Sequence, residues 1–140
     1  MSTEYENTGR LTIILHSGSY DRVTNALSLA IVCLSMGMEA HILLTYQGLK
    51  RFRKGHLEDP DETDTELLAQ MQRDIAAGKF HSIEYKLEAA LEMGLKVYAC
   101  TTAMATCEFV KEDLVDGVDQ IMGLTTFMNL VRGATVNWYI

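Results

Sequence analysis

Between Leu11 and Thr45 the chain sets two short apolar runs on either side of one amphipathic stretch, and that spacing leaves few folds open. Leu11-Thr12-Ile13-Ile14-Leu15 is β-branched and apolar on both faces, as a central parallel strand must be. His16-Ser17-Gly18-Ser19-Tyr20-Asp21 then breaks the run with turn residues. From Arg22 onward Val23, Ala26, Leu27, Ala30, Ile31 and Leu34 recur at helical spacing, with Asp21 as the expected N-cap, Gly37 as the stop and Cys33 inside the packed face. Glu39 to Thr45 carries a second apolar run, Ala40, Ile42, Leu43 and Leu44, and Tyr46-Gln47-Gly48 reads as the turn after it. Strand, helix and strand at this spacing form a right-handed βαβ unit, which commits the chain to a parallel sheet with helices on its faces.

The rest of the chain repeats the alternation. Lys50, Arg51, Arg53 and Lys54 form a basic cluster that reads as a solvated helical face, followed by Glu58, Asp59, Asp61, Glu62, Asp64 and Glu66 around Pro60. Residues 55–80 read as an inserted loop and helix that covers a pocket, with Thr63 and Glu66 in the form of a capping box and Leu67, Leu68, Met71 and Ile75 on the inward face. Ser82 caps a helix through Ile83, Leu87, Ala90 and Leu91 that stops at Gly94. Val97 to Cys100 is a third strand, residues 103–110 one or two helical turns, Val118 to Met122 a fourth strand, Gly123 to Gly133 a helix, and Thr135 to Ile140 a terminal strand. The expected fold class is therefore α/β, three layers (α/β/α) around a mostly parallel sheet of about five strands, in one domain over residues 1–140 with residues 1–9 flexible.

Composition narrows the function classes. A net charge of −7 with no basic stripe interleaved with aromatics argues against nucleic acid and anionic lipid as partners. Three cysteines make an odd count that does not suit a secreted disulfide framework. Met1 to Arg10 lacks the character of a signal peptide, and no apolar run approaches the ~20 residues of a membrane span, so a reducing cytoplasm is the expected compartment. His16, His41, His56 and His81 stand far apart with no pairing at ligand spacing, so no metal is expected.

Cys100 is the candidate reactive atom, because it stands where a strand ends and a helix begins. The carboxyl edge of an open α/β sheet is where ligands bind, and a helix amino terminus favours a thiolate. Familiar cysteine motifs are missing: position 103 is alanine where a Cys-x-x-Cys pair needs its second thiol, and position 106 is threonine where a Cys-x5-Arg phosphatase loop needs arginine. A lone, partly exposed thiolate at such a place suits persulfide carriage, whereas a buried cysteine that merely packs is the commoner fate of the residue type. Around Cys100, Thr101, Met104 and Cys107 are candidate assisting residues, Cys107 as a resolving thiol or as packing. If strands one and three are neighbours, His16 and Tyr20 lie near the thiol, and Ser17, Gly18, Ser19, Tyr46, Gln47 and Gly48 offer an anion or substrate loop on the same rim; an ordinary helix-entry loop is the alternative.

Three stretches together resemble the DsrE/DsrF-like sulfur-relay superfamily, in particular its DsrE-like peroxiredoxin branch. They are Ile13 to Asp21 with its helix to Gly37-Met38-Glu39, then Thr45-Tyr46-Gln47-Gly48-Leu49, then Gly94 through Cys100 and Met104 to Leu114 and Gly117-Val118, with the Asn137-Trp138-Tyr139-Ile140 end. The likeness spans most of the chain outside the amino terminus and residues 55–80, and it departs where Cys107 replaces the glycine that follows the methionine. It implies a sulfur carrier or sulfurtransferase whose cysteine, here Cys100, accepts persulfide sulfur and hands it to a small carrier of the TusA type or a rhodanese-like partner. It also implies a homo-oligomer, trimer or hexamer, and no organic cofactor. The competing readings are a non-catalytic binding or assembly module in which Cys100 is incidental, and a flavodoxin-shaped small-molecule domain that uses Ser17 to Ser19 for an anion.

Overall fold

The computed structural model describes residues 9–140. The elements run β1 (Arg10–Leu15), α1 (Tyr20–Ser35), β2 (Glu39–Leu44), α2 (Tyr46–Arg51), α3 (Thr65–Ala76), α4 (Ile83–Glu92), β3 (Lys96–Cys100), α5 (Thr101–Cys107), β4 (Val118–Met122), α6 (Leu124–Arg132) and β5 (Val136–Tyr139). A short 3-10 turn at Lys111–Asp113 precedes β4. The five strands form one sheet in the order β4-β3-β2-β1-β5, every pairing parallel. The α/β class and the parallel sheet thus follow the sequence pattern. The flexible amino terminus expected over residues 1–9 lies, Gly9 apart, outside the described residues.

Parallel strands need a crossover, and crossovers are right-handed, so the direction of each step decides the face each helix covers. The steps from β1 to β2, β2 to β3 and β3 to β4 all run one way and lay α1, α4 and α5 on one face. The step from β4 to β5 runs back across the sheet and carries α6 over the other, where Phe127 meets Tyr98 edge-on with ring centroids 6.1 Å apart. The centre of the sheet is dry on both faces: Leu11, Ile13 and Leu15 of β1 and Ile42, Leu43 and Leu44 of β2 are all buried. One face also holds a polar chain, with His41 Nδ1 2.8 Å from the Tyr98 hydroxyl and His41 Nε2 3.0 Å from Glu39.

Several local expectations give way to tertiary contacts. Residues 46–48 open the helix α2 instead of forming a turn, and Arg51 is buried, not solvated. Its Nε donates to the Gly18 carbonyl (2.9 Å), its Nη1 to the carbonyls of Leu57 (3.1 Å) and Asp59, and its Nη2 to the Asp61 carboxylate. Asp61 also accepts from the Tyr20 N–H (2.6 Å) and the Thr63 N–H (2.6 Å). The amino end of α1 is therefore capped from 41 positions away by Asp61, not by Asp21, while Ser19 at the N-cap position makes no side-chain cap bond. Asp64, not Thr63, caps α3. Thr63 instead donates to Asp21 (3.3 Å), and Leu67 points to solvent. Met36, Met93 and Met128 are exposed, whereas Met38, Met104 and Met122 are buried.

A buried guanidinium stripped of its partners is costly, and so are the acceptors it leaves behind. Arg51→Met is expected to lower unfolding stability by about 3 kcal/mol in urea titration. It is also expected to open residues 53–64 to limited proteolysis, while Asp61→Asn, which keeps an acceptor oxygen, has the smaller effect on both readouts.

Candidate functional site

All five strands deliver their carboxyl ends to one edge, and the register there sets a row of residues. Cys100 ends β3 and pairs with Met122 of β4. Leu44 pairs with Ala99 on one side and Leu15 on the other, so Thr45 follows in line with Cys100, and His16 in line with Thr45. At about 4.8 Å per strand, His16 and Cys100 are about 10 Å apart along the row, with β2 between them. Strands one and three are thus not neighbours, and the residue between them, Thr45, was not singled out from the sequence. Its hydroxyl lies 3.2 Å from His16 Nδ1, and its buried place at the end of an apolar strand is the signal that would have marked it.

Cys100 occupies the N-cap position of α5 in extended conformation (φ −65°, ψ 126°) and makes no side-chain cap bond. It is only 2% exposed, which corrects the expectation of a partly open thiol. Met104, one turn on, is buried with it, and Thr101 is exposed. Cys107 closes the same helix and is half-buried. Seven residues of α-helix separate the two by about 10 Å, beyond the ~7 Å Cα limit of a disulfide, so direct exchange between them needs α5 to unwind. Cys33 is packed in α1, where burial pushes its thiol up from the ordinary range.

The serine loop is closed on itself. The Ser17 N–H donates to Ile140 O (3.1 Å), the Ser19 N–H to Ser17 Oγ (3.1 Å), and the two hydroxyls are 3.0 Å apart. These N–H groups are therefore not free for an anion. The loop rests directly on α2: a Cβ at Gly18 would collide with the Gln47 carbonyl, and one at Gly48 with the Leu15 carbonyl. The Gly48 N–H donates to both His16 O (3.0 Å) and Thr45 O (2.9 Å). Just before it, Tyr46 is held in the left-handed region at φ 40°, a strained position for a side-chain-bearing residue. The Tyr46 ring lies edge-on to His16 (5.8 Å), and Tyr139 from β5 stacks on the same imidazole at 5.8 Å and 22°. An aromatic surface of His16, Tyr46 and Tyr139 therefore stands on the rim, with Tyr139 reached only because β5 lies beside β1.

Tyr20 is drawn away from the row. Its hydroxyl donates to Glu58 (2.6 Å), and burial, with the carboxylate, pushes the phenol far above its ordinary range, so it stays protonated. Gly18, Ser19 and Gln47 line a cleft of about 500 Å³ with Lys50, Arg53 and His56, which Cys100 does not line. Among the described residues no group of three or more His, Cys, Asp or Glu is placed to hold a metal. No helix there is long and apolar enough to cross a membrane.

The model of the family described as DsrE/DsrF/DrsH-like matches residues 61–139, which is more than half of the 140 residues. The chain belongs to that family. The match takes in residues 61–80, which the motif-by-motif resemblance had set aside. This DsrE/DsrF/DrsH-like chain is also 28% identical over 162 aligned positions to YrkE of Bacillus subtilis (strain 168), covering 96% of its own length and 99% of that protein. Among solved structures it is similar to the ychN protein from E. coli, with a TM-score of 0.69 at 18% identity over 95% of this chain and all of that one. It is similar as well to MTH1491 from Methanobacterium thermoautotrophicum, with a TM-score of 0.61 at 13% identity over 94% and 97% of the two chains. At these identities the two structures speak to the fold alone.

The burial pattern sets an order of thiol reactivity. In the native protein iodoacetamide is expected to reach Cys107 first, with Cys100 and Cys33 slower by more than about tenfold because each needs a local opening. Peptide mapping of a labelling time course checks this order, and denaturant should erase it.

Proposed function

We propose that this protein is a sulfur carrier in a relay, taking sulfur onto Cys100 as a persulfide and passing it to a partner thiol. The observation that supports the reading best is the coincidence of family and position: in a DsrE/DsrF/DrsH-like chain, the cysteine that ends β3 sits on the carboxyl edge of a parallel sheet. In the loading step the Cys100 thiolate attacks the outer sulfur of a donor persulfide, the donor's S–S bond breaks, and the donor leaves as a thiolate. Unloading is the same exchange, with the acceptor thiolate as nucleophile and Cys100 as leaving group. The first turn of α5 stabilises the anionic sulfur through its N–H groups. Since Cys100 is buried, transfer requires the short helix α5 to lift when a partner docks.

The natural partners on this reading are a small carrier of the TusA type or a rhodanese-like protein in a reducing cytoplasm, where Cys33, Cys100 and Cys107 remain free thiols. A homo-oligomer, trimer or hexamer, belongs to the same proposal. What supports it is the apolar surface left on the face covered by α6: Leu124 and Met128 stand one turn apart and half exposed, and Tyr139 is 69% exposed. The burial of Cys100 favours one other reading, an assembly module whose cysteine only packs.

Intact mass after incubation of the reduced protein with a persulfidated carrier of the TusA type, the partner whose docking lifts α5, decides between them. A reducible gain of sulfur that Cys100→Ser abolishes and Cys107→Ser retains is the expected result. Loading that persists without Cys100, or no loading from the persulfidated carrier, leaves the assembly module. Light scattering tests the oligomer: the wild type is expected at three or six times the 15.7 kDa chain mass, and Leu124→Glu with Met128→Lys at the monomer mass.

A further inference from the structure

A second cleft, of about 480 Å³, lies away from Cys100, between α4, the loop after α2 and the turn that leads into β4. Its floor is apolar, built from Leu57, Leu87, Leu91 and Val115. Its rim is acidic: Glu84 and Glu88 project from the same stripe of α4 as the two leucines, Asp116 faces them from the β4 side, and Glu58 closes the end. The walls are braced against each other, since the Lys54 N–H donates to Asp113 O (2.9 Å) and the Val115 N–H to Phe52 O (2.9 Å). Glu58 is braced as well, accepting from the Tyr20 hydroxyl (2.6 Å) and from the Glu84 N–H (2.9 Å).

Those two donors are neutral, so they orient the Glu58 carboxylate without discharging it. None of the four carboxylates has an ion-pair partner among the described residues, and Lys54 is the one cation lining the cleft. The neighbouring cleft of similar size differs in this respect, because there Asp61 is paired with Arg51 and Asp59 with His56. We infer that the cleft beside α4 is a binding site for a small organic cation, an ammonium or guanidinium group on an apolar body.

Shape and charge together select that class. The apolar floor takes hydrocarbon out of water, while the rim holds the charged head at the mouth, the arrangement in which long amines bury their stems. A volume near 480 Å³ is that of a small-molecule site. The stripe on α4 from Glu84 to Leu91 is about 10 Å long, too short for the ~800 Å² that a stable protein partner covers on each side. The site does not draw on Cys100, so it stands or falls separately from sulfur carriage.

Saturation-transfer NMR and calorimetry on the full chain with three probes of one shape test the inference: 4-phenylbutylamine, 4-phenylbutan-1-ol and 4-phenylbutanoate. The amine is expected to bind saturably below about 10 mM, at least tenfold more tightly than the alcohol, with no saturable binding of the carboxylate. Glu88→Gln and Asp116→Asn are each expected to weaken the amine about threefold, and raised salt to weaken it further, while Glu66→Gln on α3 changes nothing. Cys100→Ser should bind as the wild type does. Equal binding of amine and alcohol, no saturable amine binding, or indifference to both cleft substitutions would overturn the inference.

Discussion

The guanidinium of Arg51 is almost wholly withdrawn from water, and much of the carboxyl side of this protein is arranged around its needs. It is held by four backbone carbonyls, those of Gly18, His56, Leu57 and Asp59, and by the Asp61 carboxylate, and Asp61 in turn caps α1 and fixes Thr63. A buried charge tolerates no looser arrangement, because each donor left unpaired in a low-dielectric setting costs more than the bond contributes when made. One ion pair therefore ties together the serine loop after β1, the helix after β2 and the acidic segment that follows. It also explains why that segment, for all its charge, lies against the domain.

Everything chemical at the sheet's edge follows from where the strands end. With β2 between β1 and β3, the row reads Met122, Cys100, Thr45, His16, and the histidine reaches a threonine where a thiol was expected. The serine loop, with its Ser17 and Ser19 N–H groups already used, serves as a seat for α2 in place of an anion cradle. Cys100 ends up beneath the first turn of α5 with Met104 beside it, protected until that short helix moves. In a carrier such protection has a chemical use, since an exposed persulfide meets any passing thiol.

The two faces of the sheet are unequally covered. Three crossovers laid on one side leave a single nine-residue helix for the other, and that helix buries only Phe127. Its Leu124 and Met128, with Tyr139 at the rim, form a surface that a lone chain leaves open to water. The acidic cleft belongs to the opposite, better-covered face, between α4 and the approach to β4. The sulfur edge and the cleft thus occupy different parts of one small domain.

Much of the fold was legible in the residues themselves, because strand and helix periodicities are local: a run such as Leu11 to Leu15 cannot satisfy its two apolar faces except inside a parallel sheet, and Ser82 and Gly94 bound α4 whatever surrounds them. Cys100 at the end of a strand and the start of a helix was legible for the same reason. What periodicity cannot carry is which distant group completes a local need. Asp21 had the right chemistry to cap α1, yet Asp61 does so, and the basic cluster at Lys50 to Lys54 gave no sign that one of its members would be buried. The sequence by itself determined the strands, the long helices, their parallel arrangement and the thiol at a strand end. Only the tertiary structure decided the strand order, the burial of Cys100 and Arg51, and the pairing of Tyr139 with His16, since each depends on contacts between residues far apart in the chain that no local pattern encodes.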